Sequence, residues 1–364
     1  NYAFSDRTQL SASVSSFTSR WDASGQVPDR AVESGLIDRF GSIDPTEGGN
    51  TERHNVSLTL AHRFHKGANW ENQAWYSRYR FNLYSNFTFF ANDPVNGDGI
   101  NQAEGRNLFG YLSRLKQQYD FNRVQLNSLY AAGFRYDAAS DSRLSAQVKR
   151  VVTGDIKRGD IREANVFAYT QQQLSIGKFL FDAGVRVDHF AFRYTDRLSA
   201  VQLPSQQSTI VSPKLNIQFT LNRQLQFFVK TGKGFHSNDT RVVVENAGRD
   251  ILPAAYGADL GFIVKPSKNL LLTVAAWYLH LDQEFVYVGD EGVVEPSGKT
   301  RRQGLDVIAR YQVTDHIFAN INLNFTRPRA VGEPKGADYI LLAPTFTSVG
   351  GLYYKAAMGF NGGF

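Results

Sequence analysis

Residues 211–239 read VSPKLNIQFTLNRQLQFFVKTGKGFHSND. Leu215, Ile217, Phe219 and Leu221 alternate with Lys214, Asn216, Gln218 and Thr220, the two-residue period of a strand with one apolar and one polar face. Asn222 and Arg223 interrupt the pattern, which resumes with Leu225, Phe227 and Val229 against Gln224, Gln226 and Lys230. Two such runs around a tight break predict an antiparallel hairpin. Each arm is about as long as the roughly 9 to 11 tilted residues that cross a bilayer as β-structure, and one end runs into Gly232, Gly234 and a polar loop.

Composition agrees with many such strands. Of 364 residues 42% are hydrophobic and 20% charged, yet 13% are aromatic, with 27 Phe and 17 Tyr against one Met. Aromatic girdles at two membrane interfaces use such a surplus, although aromatics also favour strands in soluble proteins. The longest apolar run, 270–279, contains Thr273 and falls short of the roughly 18 residues of a membrane helix, so any crossing must be β. A mean hydropathy of −0.34 does not exclude a barrel, because every second residue there faces a wet lumen. The absence of cysteine removes disulfides, thiolate metal sites and thiol nucleophiles from consideration. A net charge of +6, scattered along the chain, gives no support for nucleic-acid binding. Asn1 is not preceded by a basic and apolar leader, which is expected of a processed or internal segment.

The alternation recurs along the chain. It is strongest over 70–90, where Trp75, Tyr79, Phe81, Leu83, Phe87 and Phe89 oppose Arg78, Arg80, Asn82, Asn86 and Thr88. Later runs place Val185 opposite Arg186, Leu305 and Val307 opposite Asp306 and Arg310, and Leu323 opposite Asn322. Short turns near 66, 120, 222 and 266–269 take turns with longer polar connections at 91–106, 138–161 and 236–249. About fourteen strands are expected, with no helical period. Short turns at one end and long loops at the other are how membrane barrels are built. The fold class read from these patterns is all-β, a transmembrane antiparallel β-barrel.

Five stretches carry a family resemblance: IDPTEGGNTERHNVSLTL (43–60), SNFTFFANDPVNGD (85–98), SPKLNIQFTLNRQLQFFVKTGKGFHSND (212–239), LDQEFVYVGDEGVVEPSGKTRRQGLD (281–306) and LAPTFTSVGGLYY (342–354). In these the chain resembles the barrel portion of TonB-dependent outer-membrane receptors. The resemblance implies a barrel of about 22 strands with a plugged lumen, of which 1–364 would be an incomplete part lacking the plug domain and terminal strands. It also implies an outer-membrane location, uptake of a scarce nutrient such as an iron chelate, and two further partners, the plug and the TonB energising complex. No resident cofactor is implied. A passive porin-like channel and a soluble β-rich binding protein are the alternatives.

Site candidates are few. His54, His62, His65, His189, His236, His280 and His316 form no HExxH spacing, and no GxSxG or Walker sequence is present, so no enzyme is expected. The loop 93–104 has oxygen ligands and glycines resembling a calcium loop, but aligning Gly99 with the required glycine puts Pro94 at the first ligand position. His236, Asn238, Asp239 and Arg241 follow a strand end and are expected in a long outer loop, the place for ligand contact. The resemblance disfavours haem there, since haem-binding relatives carry arginine-alanine-proline where this chain has HSND. Arg78, Arg80, Lys214, Lys230, Glu284, Arg302 and Arg310 are read as lumen-wall charges, with carboxylates such as Asp182, Asp188, Asp282 and Asp306 as partners. Outward placement of Leu279 and Leu281 puts His280 inward and predicts a Glu284 to Arg302 pair across the wall.

Overall fold

The computed structural model describes residues 1–64, 67–91, 93–245, 251–283, 285–288, 293–296, 298–340 and 342–363. Sixteen strands form one antiparallel sheet in which sequence neighbours pair throughout. They are β1 (Tyr2–Ser5), β2 (Thr8–Asp22), β3 (Gly48–Arg63), β4 (Asn69–Ser85), β5 (Ile100–Phe121), β6 (Val124–Val148), β7 (Val151–Ile176), β8 (Phe179–Asp196), β9 (Gln206–Thr220), β10 (Leu225–Phe235), β11 (Ala254–Ser267), β12 (Leu270–Leu281), β15 (Thr300–Gln312), β16 (Ile317–Ala330), β17 (Phe346–Lys355) and β18 (Asn361–Gly363). Between β12 and β15 a separate hairpin pairs β13 (Phe285–Val288) with β14 (Val293–Pro296). The described residues thus hold more strands than expected, the additions being short ones too brief to show a period.

At one end the connections are short, as at 122–123, 177–178, 221–224 and 268–269. At the other, 23–47, 86–99, 197–205, 236–253, 282–299 and 331–345 are long. Local chemistry explains the short ones: the Asn222 side chain accepts the amides of Gln224 and Leu225 at 2.8 and 3.0 Å, an Asx turn closing β9 onto β10. The expected loop at 138–161 is instead strand, because β6 and β7 run on for 25 and 26 residues to a two-residue turn. That turn is Lys149–Arg150, with φ of 49° and 68°, the pair of left-handed residues a tight hairpin requires.

Two short helices interrupt the loops, α1 (Asp29–Glu33) and α2 (Thr240–Glu245). The second lies against one face of β7 and β8, the face also carrying Lys214, Asp182, Arg186 and Asp188. We call it the inner face. Directly opposite residues share a face, so the register assigns sides across the sheet. Leu215, Phe219, Phe227, Val185 and Leu323 lie on the outer face, and Gln218, Gln226, Arg186 and Asn322 on the inner, as the alternation predicts.

Two strands are reversed. An uninterrupted register from β8 through β7, β6 and β5 to β4 puts Trp75, Tyr79 and Phe81 inside, and Arg78 and Arg80 outside. Likewise Trp277, Leu279 and Leu281 of β12 face inward, and His280, opposite Tyr256 and Arg301, faces outward. The His280 ring reaches Asp282 at 3.4 Å, so that carboxylate is on the outer side as well. The cause is close packing on the inner wall. Trp75 lies over Gly110 and Trp277 over Gly304, each on the neighbouring strand, leaving no room for a side chain at either glycine. Large rings therefore fit inside wherever a glycine faces them, which the alternation within one strand cannot reveal.

Candidate ligand-binding site

The described part of the outer loop, 236–245 and 251–253, does not stand above the sheet. It folds back onto the inner face, where Val243 (0% exposed) and Ile251 pack with Phe190, Phe192 (0% exposed) and Ile210. Val244 enters a second cluster with Ala139, Ile161 and Tyr194. The rings of Phe190 and Phe192 stack at 5.6 Å, and Phe235, at the start of the loop, meets Phe190 edge-on at 5.7 Å. Inner positions of β8 change from polar below (Asp182, Arg186, Asp188) to aromatic above (Phe190, Phe192, Tyr194). That change in the sequence is the one signal that something covers the upper wall.

Polar contacts fix the loop. Asp239 accepts Nε and Nη2, one edge of the Arg241 guanidinium, at 2.9 and 2.8 Å and the Arg241 amide at 2.9 Å. Burial alone would raise the Asp239 carboxyl pKa, but these bonds and the Arg241 charge outweigh it and hold the group below its ordinary value. The same bonds raise Arg241. Thr240 donates to Glu163 of β7 at 3.4 Å. Asn238, 4% exposed, donates to Gln283 at 3.0 Å, and its amide donates to the Ile251 carbonyl at 3.3 Å. The His236 amide donates to the Pro253 carbonyl at 3.2 Å. Of the four predicted contact residues, Asn238, Asp239 and Arg241 thus secure the loop itself. Below them Arg106 and Arg135 both reach Asp137, at 3.2 and 3.0 Å.

Beside the loop core, where β9 and β10 stop pairing above Lys214 and Gly232, lies a cavity of about 470 Å³. Tyr169, Arg186, Ser212, Lys214, Lys233 and Phe235 line it. Arg186 donates to Asp188 at 2.7 and 2.6 Å and stacks on Phe167 at 4.0 Å, while Lys214 reaches Asp182 at 3.4 Å. Such cations are held in place by their carboxylates and still offer unused N–H groups to an anion.

The remaining predicted wall charges divide. Lys230 is inside, 4.8 Å above the Phe228 ring, and Arg302 and Arg310 are inside on β15. Arg78 and Arg80 are outside, with Arg80 3.8 Å from Glu52. Glu284, and with it the expected pair to Arg302, lies outside the described residues, as does His65. In the loop 93–104 the carboxylates serve the turn: Asp93 accepts the amides of Val95 and Asn96, and Asp98 accepts the Thr88 hydroxyl at 2.7 Å. Among the described residues no group of three His, Asp or Glu could hold a metal ion.

The family model for the TonB dependent receptor-like beta-barrel matches residues 1–364. The chain belongs to the TonB-dependent receptor β-barrel family. Members are outer-membrane receptors and transporters rather than a class of enzymes. Among solved structures it is similar to the ferric citrate transporter FecA in the unliganded form, with TM-score 0.82 and 14% identity over 98% of this chain and 54% of that one. It is similar also to the ferric-catecholate import receptor Fiu from E. coli, with TM-score 0.73 and 12% identity over 96% and 60%. The ferric yersiniabactin uptake receptor FyuA from Yersinia pestis gives TM-score 0.71 and 12% identity over 96% and 54%. At these identities the likeness is one of fold. The TonB-dependent receptor barrel described here spans little more than half the length of these relatives. No curated protein matches the chain.

Proposed function

We propose that the chain forms the wall of an outer-membrane receptor for energised uptake of a scarce nutrient, a ferric chelate of the siderophore type. A plug in the lumen and a TonB complex would be its working partners. Family membership and the ferric-chelate receptors among its structural neighbours support this reading. The observation that carries it is the position of Phe235, whose ring lines the cavity with Arg186 and Lys214 and also packs on Phe190 beneath the loop. A chelate in the cavity would press on the ring that helps hold the loop, so occupancy and loop position are linked through one side chain. Arg186 and Lys214 would offer donors to its anionic oxygens.

The test is growth of a deletion strain on single ferric chelates as sole iron source. Growth on one chelate class should be lost, be restored by the wild-type gene, and need more chelate with Phe235→Ala. Equal growth of the deletion strain on every chelate would remove this reading, and uptake that persists without the energising complex would favour a passive channel.

A further inference from the structure

The outer face of β7 and β8 places two arginines side by side. Arg162 and Arg193 are directly opposite across the ladder, and both are exposed. Like charges so placed repel. The nearby carboxylates are engaged elsewhere: Asp160 accepts Arg197 at 2.9 Å, and Asp141 accepts Arg158 at 2.6 Å and lies 3.6 Å from both Arg143 and Arg197. Among the described residues no hydrogen bond or ion pair ties Arg162 or Arg193 to an acid, and Asp160 feels Arg162 only through its field. The pair is therefore a cationic site with no acid bonded to it, since Asp141 and Asp160 are taken by Arg158 and Arg197.

What lies below the pair defines its partner. The next outer row holds Tyr136, Ala164 and Ala191, and the row after that Phe134, Val166 and His189. Further down, a shallow trough of about 530 Å³ opens on the outer wall, with Tyr130, Ala132, Ala168, Val185 and Val187 in its lining. Ala168 is six residues from Arg162, about 20 Å along the strand or about 15 Å of depth at a 40° tilt, one leaflet of a bilayer. A paired cation over a lane of small and apolar side chains matches an amphiphile with an anionic head and hydrocarbon tails.

We propose that Arg162 and Arg193 bind the phosphate of an outer-leaflet lipid headgroup whose acyl chains lie in the Ala164 to Ala168 lane. This rests on the outer-membrane placement proposed above. Guanidinium pairs suit phosphate because each can donate two parallel N–H bonds.

The experiment purifies the full-length protein from outer membranes and measures, by native mass spectrometry in detergent, retention of added lipid A and of the same lipid enzymatically dephosphorylated. Wild-type protein should retain the phosphorylated form selectively. Retention should fall at least about tenfold in Arg162→Ala/Arg193→Ala and less in the double Lys variant, which keeps charge but loses the fork. Arg78→Ala, another exposed outer arginine remote from this pair, should retain lipid as the wild type does. Heat-modifiable migration checks that each variant is folded. Equal retention of both lipids, unchanged retention in the double Ala variant, or displacement of lipid by equimolar inorganic phosphate would overturn the assignment. Recovery of wild-type protein outside the outer membrane would overturn this and the proposed function together; loss of lipid selectivity alone would leave the uptake reading standing.

Discussion

Trp277 and Gly304 stand directly opposite each other on neighbouring strands of the inner face, and the indole occupies the space a side chain at 304 would need. A Cβ there would run into the Phe325 carbonyl oxygen of the next strand and come 2.5 Å from Trp277 Cζ2, and the indole N–H donates to Asp306 at 3.0 Å. Gly304→Ala must push the ring away and strand that donor. The expected cost is about 1 to 3 kcal/mol, read as a lower unfolding midpoint in detergent with a shifted indole emission. An unchanged midpoint and spectrum would mean the ring moves freely.

The reversal on β4 sets a labelling prediction. Tyr76→Cys should react with a lipid-soluble maleimide and Trp75→Cys with a water-soluble one, since Tyr76 shares its face with Phe109 and Trp75 shares its face with Gly110. The same contrast is expected of Phe219→Cys and Gln218→Cys. Arg introduced at the outward Val185, six residues into β8 and so about 15 Å from the short-turn end, should cost about 2 to 4 kcal/mol, the midplane cost of a lipid-facing cation. Equal labelling at both positions of either pair would refute the assignment of faces.

Loop docking should depend on Val243. Truncation to Ala removes methyl groups from a site closed by Phe190 and Phe192, at a cost of about 1 to 2 kcal/mol. Because the strands keep their own ladder, the loss should appear as faster hydrogen exchange and proteolysis within 236–253 while the melting of the sheet is unchanged.

Docking should also weaken in acid. Asp239 in the docked loop is held below its ordinary value of 3.8, so the docked form binds fewer protons than a released one. Its contribution is complete above that value and is lost as pH falls through the lower, docked-state pKa. Loop proteolysis by pepsin should rise over this acidic range, and Asp239→Asn should be looser at neutral pH with a flatter acid response. A steeper response in the Asn variant would contradict the role given to Asp239.

Arg150 should hold two outer segments together. From the tip of the β6–β7 hairpin its Nε donates to the Thr46 carbonyl at 2.6 Å, and the guanidinium reaches Asp22 at 3.0 Å and the Glu47 carbonyl at 3.2 Å. Arg150→Asn, which tolerates the φ of 68°, should release the 23–47 loop to protease at a cost of about 1 kcal/mol, discounted for the exposed Asp22. Unaltered cleavage of that loop would show the latch to be dispensable.

Periodicity along single stretches was enough to establish strands, hairpins and their antiparallel order. The turn at Asn222 and the outward faces of Leu215, Phe227 and Leu323 are local properties, fixed by a side-chain period of two and by bonds between residues two or three apart. Family resemblance was equally legible, being written in the same linear order. Sidedness on β4 and β12 was not. An amphipathic strand has two faces, and which one turns inward depends on whether the strand beside it offers a glycine under the ring, as Gly110 and Gly304 do. Nor could the sequence show that Val243 meets Phe190, or that Asn238, Asp239 and Arg241 secure a folded-in loop instead of reaching outward. The Val243–Phe190 and Asn238–Gln283 contacts join residues tens of positions apart, brought together only when the register of the sheet is complete, so only the tertiary structure decided that the loop, braced locally by Asp239 and Arg241, is folded in.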